Sequence, residues 1–142
     1  YLKQARKDHS KDLEKSFRTC FRQINSAMHR QQDFSDMLSG TTSCVAFFEK
    51  SAVWVANAGD SRAVIAKVQH GELKATPLST DQTPYRRDER ERIRAAGGEI
   101  CSVDQREGHV PMHDNWDIDL GAETDTDGDP PRVWAPGKDK PG

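Results

Sequence analysis

The chain predicts an α+β fold, one half of a four-layer αββα sandwich with antiparallel sheets, on three observations. A helical apolar stripe precedes Leu38, strand-length apolar runs joined by tight polar turns fill residues 43–78, and a charged helical pattern follows Pro84. At 142 residues the chain is long enough for one domain, yet 34% of it is apolar and 31% charged. That balance fits a small core, or a piece of a larger domain whose apolar partners lie elsewhere.

The elements follow in order. Leu13, Phe17, Cys20, Phe21, Ile24, Ala27 and Met28 recur at three- and four-residue steps, the pattern of an amphipathic helix covering a core. The charged and polar residues just before Asp12 are expected to fray, and residues 31–39 read as a polar loop leading to Gly40. Ser43 to Phe48 is the first strand, with a tight Glu49-Lys50-Ser51 connection into a second around Val53. With Ala63 to Val68 these predict a three-stranded antiparallel meander, in which Gly59-Asp60-Ser61-Arg62 forms the tip of a hairpin. His70-Gly71-Glu72 is a turn into a fourth extended segment, Leu73 to Leu78. Thr83-Pro84 predicts an N-cap and first helical position for a helix over residues 86–96, ended by Gly97-Gly98. Ile100 and Val103 continue as strand. Residues 105–131, rich in Gly, Asp, Glu and Pro, read as a long acidic loop, and an excursion of that length is usually functional or mobile.

Five segments then stand out together. They are Leu38-Ser39-Gly40-Thr41-Thr42, Val53 through Val64 with its Gly59-Asp60-Ser61-Arg62, Leu78-Ser79-Thr80-Asp81-Gln82-Thr83-Pro84, Arg90 through Gly98, and Arg132-Val133-Trp134. In this order and spacing the chain resembles the central part of the metal-dependent serine/threonine protein phosphatases of the 2C family. The resemblance runs from about Leu13 to the last residue, and residues 1–142 are similar to one catalytic domain incomplete at both ends. The upstream Asp-Gly-His-Gly motif and the downstream carboxylate segments are not in this stretch, so the missing N- and C-terminal parts of the same domain are its expected partners. The resemblance implies hydrolysis of phosphoserine and phosphothreonine in proteins by a metal-activated water, with Mg²⁺ or Mn²⁺ as cofactor and phosphorylated proteins as substrates. It places Asp60 at the edge of the metal centre as a metal ligand, places residues 105–131 at the substrate-selecting flap, and assigns no catalytic residue within this stretch. A catalytically silent, protein-binding relative is the rival reading.

The residues themselves leave several bland alternatives. Asp60 is a hard oxygen ligand, but one carboxylate builds no metal site, and a turn Asp satisfies its own backbone just as well. Arg62 is expected to pair with a carboxylate at the edge of the core. Thr41 and Thr42 are read as tying the glycine turn to the sheet. Ser61, His109 and Asp114 are of the right types for a nucleophilic triad without its glycine elbow. His109 and His113 lack the HExxH pattern, and Asp125 to Asp129 lack calcium-loop spacing. The arginines of the charged helix are interleaved with acids, and residues 99–142 hold eleven Asp or Glu against four Lys or Arg, which argues against a nucleic-acid partner. Cys20, Cys44 and Cys101 form no ligand spacing and fit a reducing interior, with Cys20 and Cys44 expected to be buried. No membrane segment or signal peptide is visible in residues 1–142, and Tyr1, not being an initiator Met, leaves room for a targeting segment upstream; the cysteines set the expectation of an intracellular setting, cytoplasmic or nuclear.

Overall fold

The computed structural model describes residues 1–8, 12–33, 39–113, 116 and 129–135. They fall into two compact units, Tyr1–Thr41 and Thr42–Gly142.

The first unit is a pair of helices, α1 (Leu2–Asp8) and α2 (Leu13–His29). The Asp12 side chain caps α2 by accepting the Lys15 N–H at 2.9 Å, filling one of the donors that a helix start leaves open. Leu13, Phe17 and Cys20 are buried, as the stripe predicts, while Ile24 at its far end is 37% exposed. Small residues make the helix contact. Ala5 and Ser16 are wholly buried, and the Ser16 hydroxyl donates to the Asp12 carbonyl at 2.8 Å and more distantly to that of Ala5 at 3.4 Å. Of the five residues before Asp12 that were expected to fray, Lys7 and Asp8 form the end of α1, and 9–11 lie outside the described residues.

The second unit holds antiparallel sheet and two further helices. Strands β1 (Ser43–Glu49) and β2 (Ala52–Ala58) pair from Ser43 opposite Ala58 to Glu49 opposite Ala52. Strands β3 (Val64–Gln69) and β4 (Glu72–Pro77) form a second hairpin. Its turn places His70 at φ 53° and Gly71 at φ 83°, the pair of left-handed residues that suits the twist of a two-residue hairpin. Helix α3 (Arg87–Ala95) leads to β5 (Glu99–Cys101), which pairs with β6 (Arg132–Trp134). Between them lies α4 (Val103–Glu107). The buried hydrophobic residues of this unit lie here: Ile100, Cys101 and Trp134, with the indole N–H donating to the Cys101 carbonyl at 2.9 Å.

The class is therefore α+β with antiparallel pairing, but the meander is not what forms. Among the described residues β2 and β3 do not pair, and three two-stranded sheets result. After β2 the chain bonds to residues 78–82 instead of to a facing strand: Gly59 to Gln82, Arg62 to Asp81, and Ala63 to Leu78 and Ser79.

Three smaller expectations are also corrected. Helix α3 starts at Arg87 rather than at Pro84, because Thr83 to Arg86 closes a separate turn through Arg86 N–H to Thr83 O at 3.2 Å. The Arg90 guanidinium holds that turn, donating to the carbonyls of Pro84 and Tyr85 at 2.9 and 2.6 Å. Val103 opens α4 instead of continuing β5, since Ser102 and Gln105 form a reciprocal capping box. Cys44 is exposed because β1 alternates, turning Ser43, Val45, Phe47 and Glu49 to its more covered side. The predicted end of α3 holds: Gly97, at φ 85°, donates to Arg94, and Gly98 to Ile93 at 2.9 Å, a Schellman closure.

Candidate metal-edge turn

The turn after β2 is built from both ends. Gly59 adopts φ 99°, and a Cβ there would lie 2.6 Å from Thr42 Cγ2, so the position needs glycine for conformation and for space. The Thr42 hydroxyl lies 2.7 Å from that of Ser61, tying the turn to the start of β1 as the sequence suggests. Gln82 grips the Gly59 peptide on both sides: its Oε1 accepts the Gly59 N–H at 2.9 Å, and its own N–H donates to the Gly59 carbonyl at 3.0 Å. The same carbonyl accepts Asn57 Nδ2 at 2.9 Å. Asn57 Oδ1 is buried without a hydrogen-bond partner among the described residues. The strap continues to β3, where Ala63 N–H donates to Ser79 Oγ at 2.9 Å and Leu78 N–H to the Ala63 carbonyl at 2.8 Å.

Two carboxylates flank this strap, and their states differ. Asp81 is held in a two-pronged pair by Arg62, Nε to Oδ1 at 2.9 Å and Nη2 to Oδ2 at 2.7 Å. Arg86 donates to the Asp81 carbonyl at 2.9 Å. The Arg62 hydrogen bonds, against a smaller opposing effect of burial and with help from the charges of Arg62 and Arg86, hold the Asp81 carboxyl below the usual carboxylate range. Arg62 thus pairs with a carboxylate, as expected. Asp60 is exposed and makes no hydrogen bond or ion pair with the described residues. A hard oxygen ligand on a turn bonded from both sides fits a divalent cation at its edge, and among the described residues Asp60 belongs to no group of three or more potential metal ligands.

The other candidates are placed as follows. Ser61 is bonded to Thr42, while His109 lies 3.5 Å from Asp104 and 3.6 Å from Glu107; Asp114 is outside the described residues, so no triad is seen among them. Asp104, Glu107 and His109 are near enough to share a cation, a grouping that sequence spacing alone did not single out. Its legible clue was Gly108 at φ 79°, which turns the chain back so that His109 N–H reaches the Asp104 carbonyl at 2.8 Å. His113 stacks obliquely on Trp116 with ring centres 5.1 Å apart. Of the acidic run 125–129 only Asp129 is described. Its carboxylate accepts the Val103 and Asp104 N–H groups at 3.0 and 2.8 Å, capping α4. Burial raises its pKa, and hydrogen bonds from Ser102, Asp104 and Val103 with the charge of Arg132 outweigh that, leaving it below the ordinary value. Of the flap or loop read over residues 105–131, about half, 114–115 and 117–128, lies outside the described residues, and residues 105–107 belong to α4 instead of to a loop. In the first unit a cleft of about 600 Å³, lined by residues including Arg22, Ser26 and Arg30, contains none of the predicted site residues.

Within α3, Arg92 pairs with Glu89 at 2.6 Å and Arg87 with Glu91 at 3.2 Å, while Arg86, at its N-cap, pairs with Asp88.

Comparison with known proteins fits this geometry. The family described as Protein phosphatase 2C matches residues 1–110. The chain is 40% identical over 124 residues to Probable protein phosphatase 2C 35 of Arabidopsis thaliana, covering 87% of this chain and 34% of that protein. It is 37% identical over 87 residues to Protein phosphatase 2C homolog 2 of Aspergillus fumigatus, 61% of this chain and 19% of that one. A third relative, Protein phosphatase ppm-1.G of Caenorhabditis elegans, is 53% identical over 62 residues, 44% of this chain and 12% of that protein. The chain thus spans about a third or less of the length of these relatives. No solved structure matches it. With the family matched over residues 1–110, most of its length, the chain belongs to the protein phosphatase 2C family.

Proposed function

We propose that the whole protein hydrolyses phosphoserine and phosphothreonine in proteins, and that Asp60 contributes to its metal centre from the edge. The observation that carries this reading is the contrast between the two aspartates of the strap. Arg62 saturates Asp81, while Asp60 stands exposed on a turn bonded from both sides. Mg²⁺ or Mn²⁺, when bound, would supply Lewis-acid activation of water and offset charge on the phosphoryl group. This chain's share is to hold the Asp60 carboxylate in place and to keep Arg62 occupied by Asp81, so that Arg62 does not compete for Asp60. Within the whole domain the hairpins described here would form part of an αββα sandwich, which the exposed Phe48, Val68 and Leu73 support as faces in need of cover. Residues 105–131 would serve as the flap that selects phosphorylated protein substrates. The three unpaired cysteines support an intracellular setting.

The test is hydrolysis of a phosphothreonine peptide by the full-length protein. Activity abolished by a chelator and restored by Mn²⁺ or Mg²⁺ is the expected result. Tight phosphopeptide binding with no turnover at any metal concentration would instead establish the silent, protein-binding relative.

A further inference from the structure

We infer that Gln82 is a positioning residue for Asp60, setting the direction of its carboxylate through the Gly59 peptide without touching the metal. The inference rests on the edge-ligand reading of Asp60. Gly59 is joined to Asp60 by one peptide bond, and its left-handed φ of 99° would otherwise be one of several conformations open to glycine. Three hydrogen bonds select it: Gln82 Oε1 on the Gly59 N–H at 2.9 Å, Gln82 N–H on the Gly59 carbonyl at 3.0 Å, and Asn57 Nδ2 on the same carbonyl at 2.9 Å. Because Gln82 supplies both a donor and an acceptor, it fixes the plane of each peptide flanking Gly59.

Gln82 is itself anchored. Its neighbour Asp81 is clamped by Arg62 through the side chain and by Arg86 through the carbonyl. Arg62 lies two residues beyond Asp60, so the turn is gripped just before and just after the proposed ligand. A free carboxylate on such a base loses little motional freedom when a cation binds, whereas a loose glycine turn would have to be ordered at that moment.

The experiment compares full-length wild type with Gln82→Met, Gln82→Glu and Asp60→Asn. Met keeps length and the backbone N–H but removes the Oε1 acceptor; Glu restores an acceptor. Two readouts are taken: amide hydrogen exchange at Gly59 without metal, and Mn²⁺ binding by calorimetry. Gln82→Met should speed exchange at Gly59 and weaken Mn²⁺ binding about fivefold at the edge site, the worth of about one neutral hydrogen bond. Gln82→Glu should retain the slow exchange at Gly59. Faster exchange in Gln82→Met with unchanged Mn²⁺ binding, while Asp60→Asn does weaken it, would overturn the positioning role and leave the ligand role standing. Unchanged Mn²⁺ binding in Asp60→Asn would overturn both. If Gln82→Met melts far below wild type, the decision passes to Gln82→Glu, where lost protection at Gly59 refutes the inference.

Discussion

At the residue scale, the turn after β2 shows how one position constrains its neighbours. Gly59 sits at φ 99° with Thr42 Cγ2 only 2.6 Å from where a Cβ would stand. Gly59→Ala is predicted to destabilise the full-length protein by about 1–3 kcal/mol through strain alone, with steric overlap adding to it. A thermal melt checks this, and an unchanged midpoint would contradict it. Asp81 makes a separate prediction about pH. Its folded-state pKa lies below the ordinary 3.8, so the unfolded chain binds the proton more readily. The stabilisation is complete above that unfolded value and disappears as pH falls through the lower folded one. Asp81→Asn should therefore lower the melting temperature at neutral pH and flatten its fall on the acid side. An acid limb as steep as in wild type would show that other carboxylates govern it.

At the element scale, local patterns were legible and long-range pairing was not. The apolar stripe from Leu13 through Cys20, the two tight hairpin turns and the Gly97-Gly98 helix end are local features, and each was readable from periodicity or turn chemistry. The β2–β3 pairing failed because Gly, Asp and Ser mark a turn without saying which backbone will bond to it; Gln82 and Asp81, some twenty residues away, decide that. The start of α3 failed for a similar reason, since Arg90 stabilises the preceding turn from inside the helix. Helix α4 did carry a local signal, Ser102 followed three residues later by Gln105, but it is too short to show an apolar period. Its cap yields a prediction: Ser102→Ala should cost about 0.5–2 kcal/mol, read as a lower melting temperature of the full-length protein. No change would mean that Asp129, which bonds the Val103 and Asp104 N–H groups, suffices as the cap.

At the scale of the whole molecule, the described sheets leave Phe48, Val68 and Leu73 largely exposed, each at 72% or more. Purified residues 1–142 should therefore self-associate and turn over no phosphothreonine peptide with Mg²⁺ or Mn²⁺, since among the described residues Asp60 belongs to no group of three or more potential metal ligands. A cooperative monomer by light scattering and melting, or metal-dependent turnover, would contradict that. Of the site, the Gly59 turn could be read ahead from adjacent residue types, and Arg62 was expected to pair with a carboxylate, but nothing in the sequence marked Asp81, nineteen residues on, as that carboxylate. The Gln82 strap could not, because a glutamine carries no positional signature. The most direct measurement is the metal-activation curve of the full-length protein on a phosphothreonine peptide, wild type against Asp60→Asn. The account predicts that Asn, which keeps the size and removes the charge, shifts half-activation by Mn²⁺ to at least about fivefold higher concentration while the thermal midpoint stays put. Superimposable activation curves would contradict it and return Asp60 to the part of an ordinary turn residue.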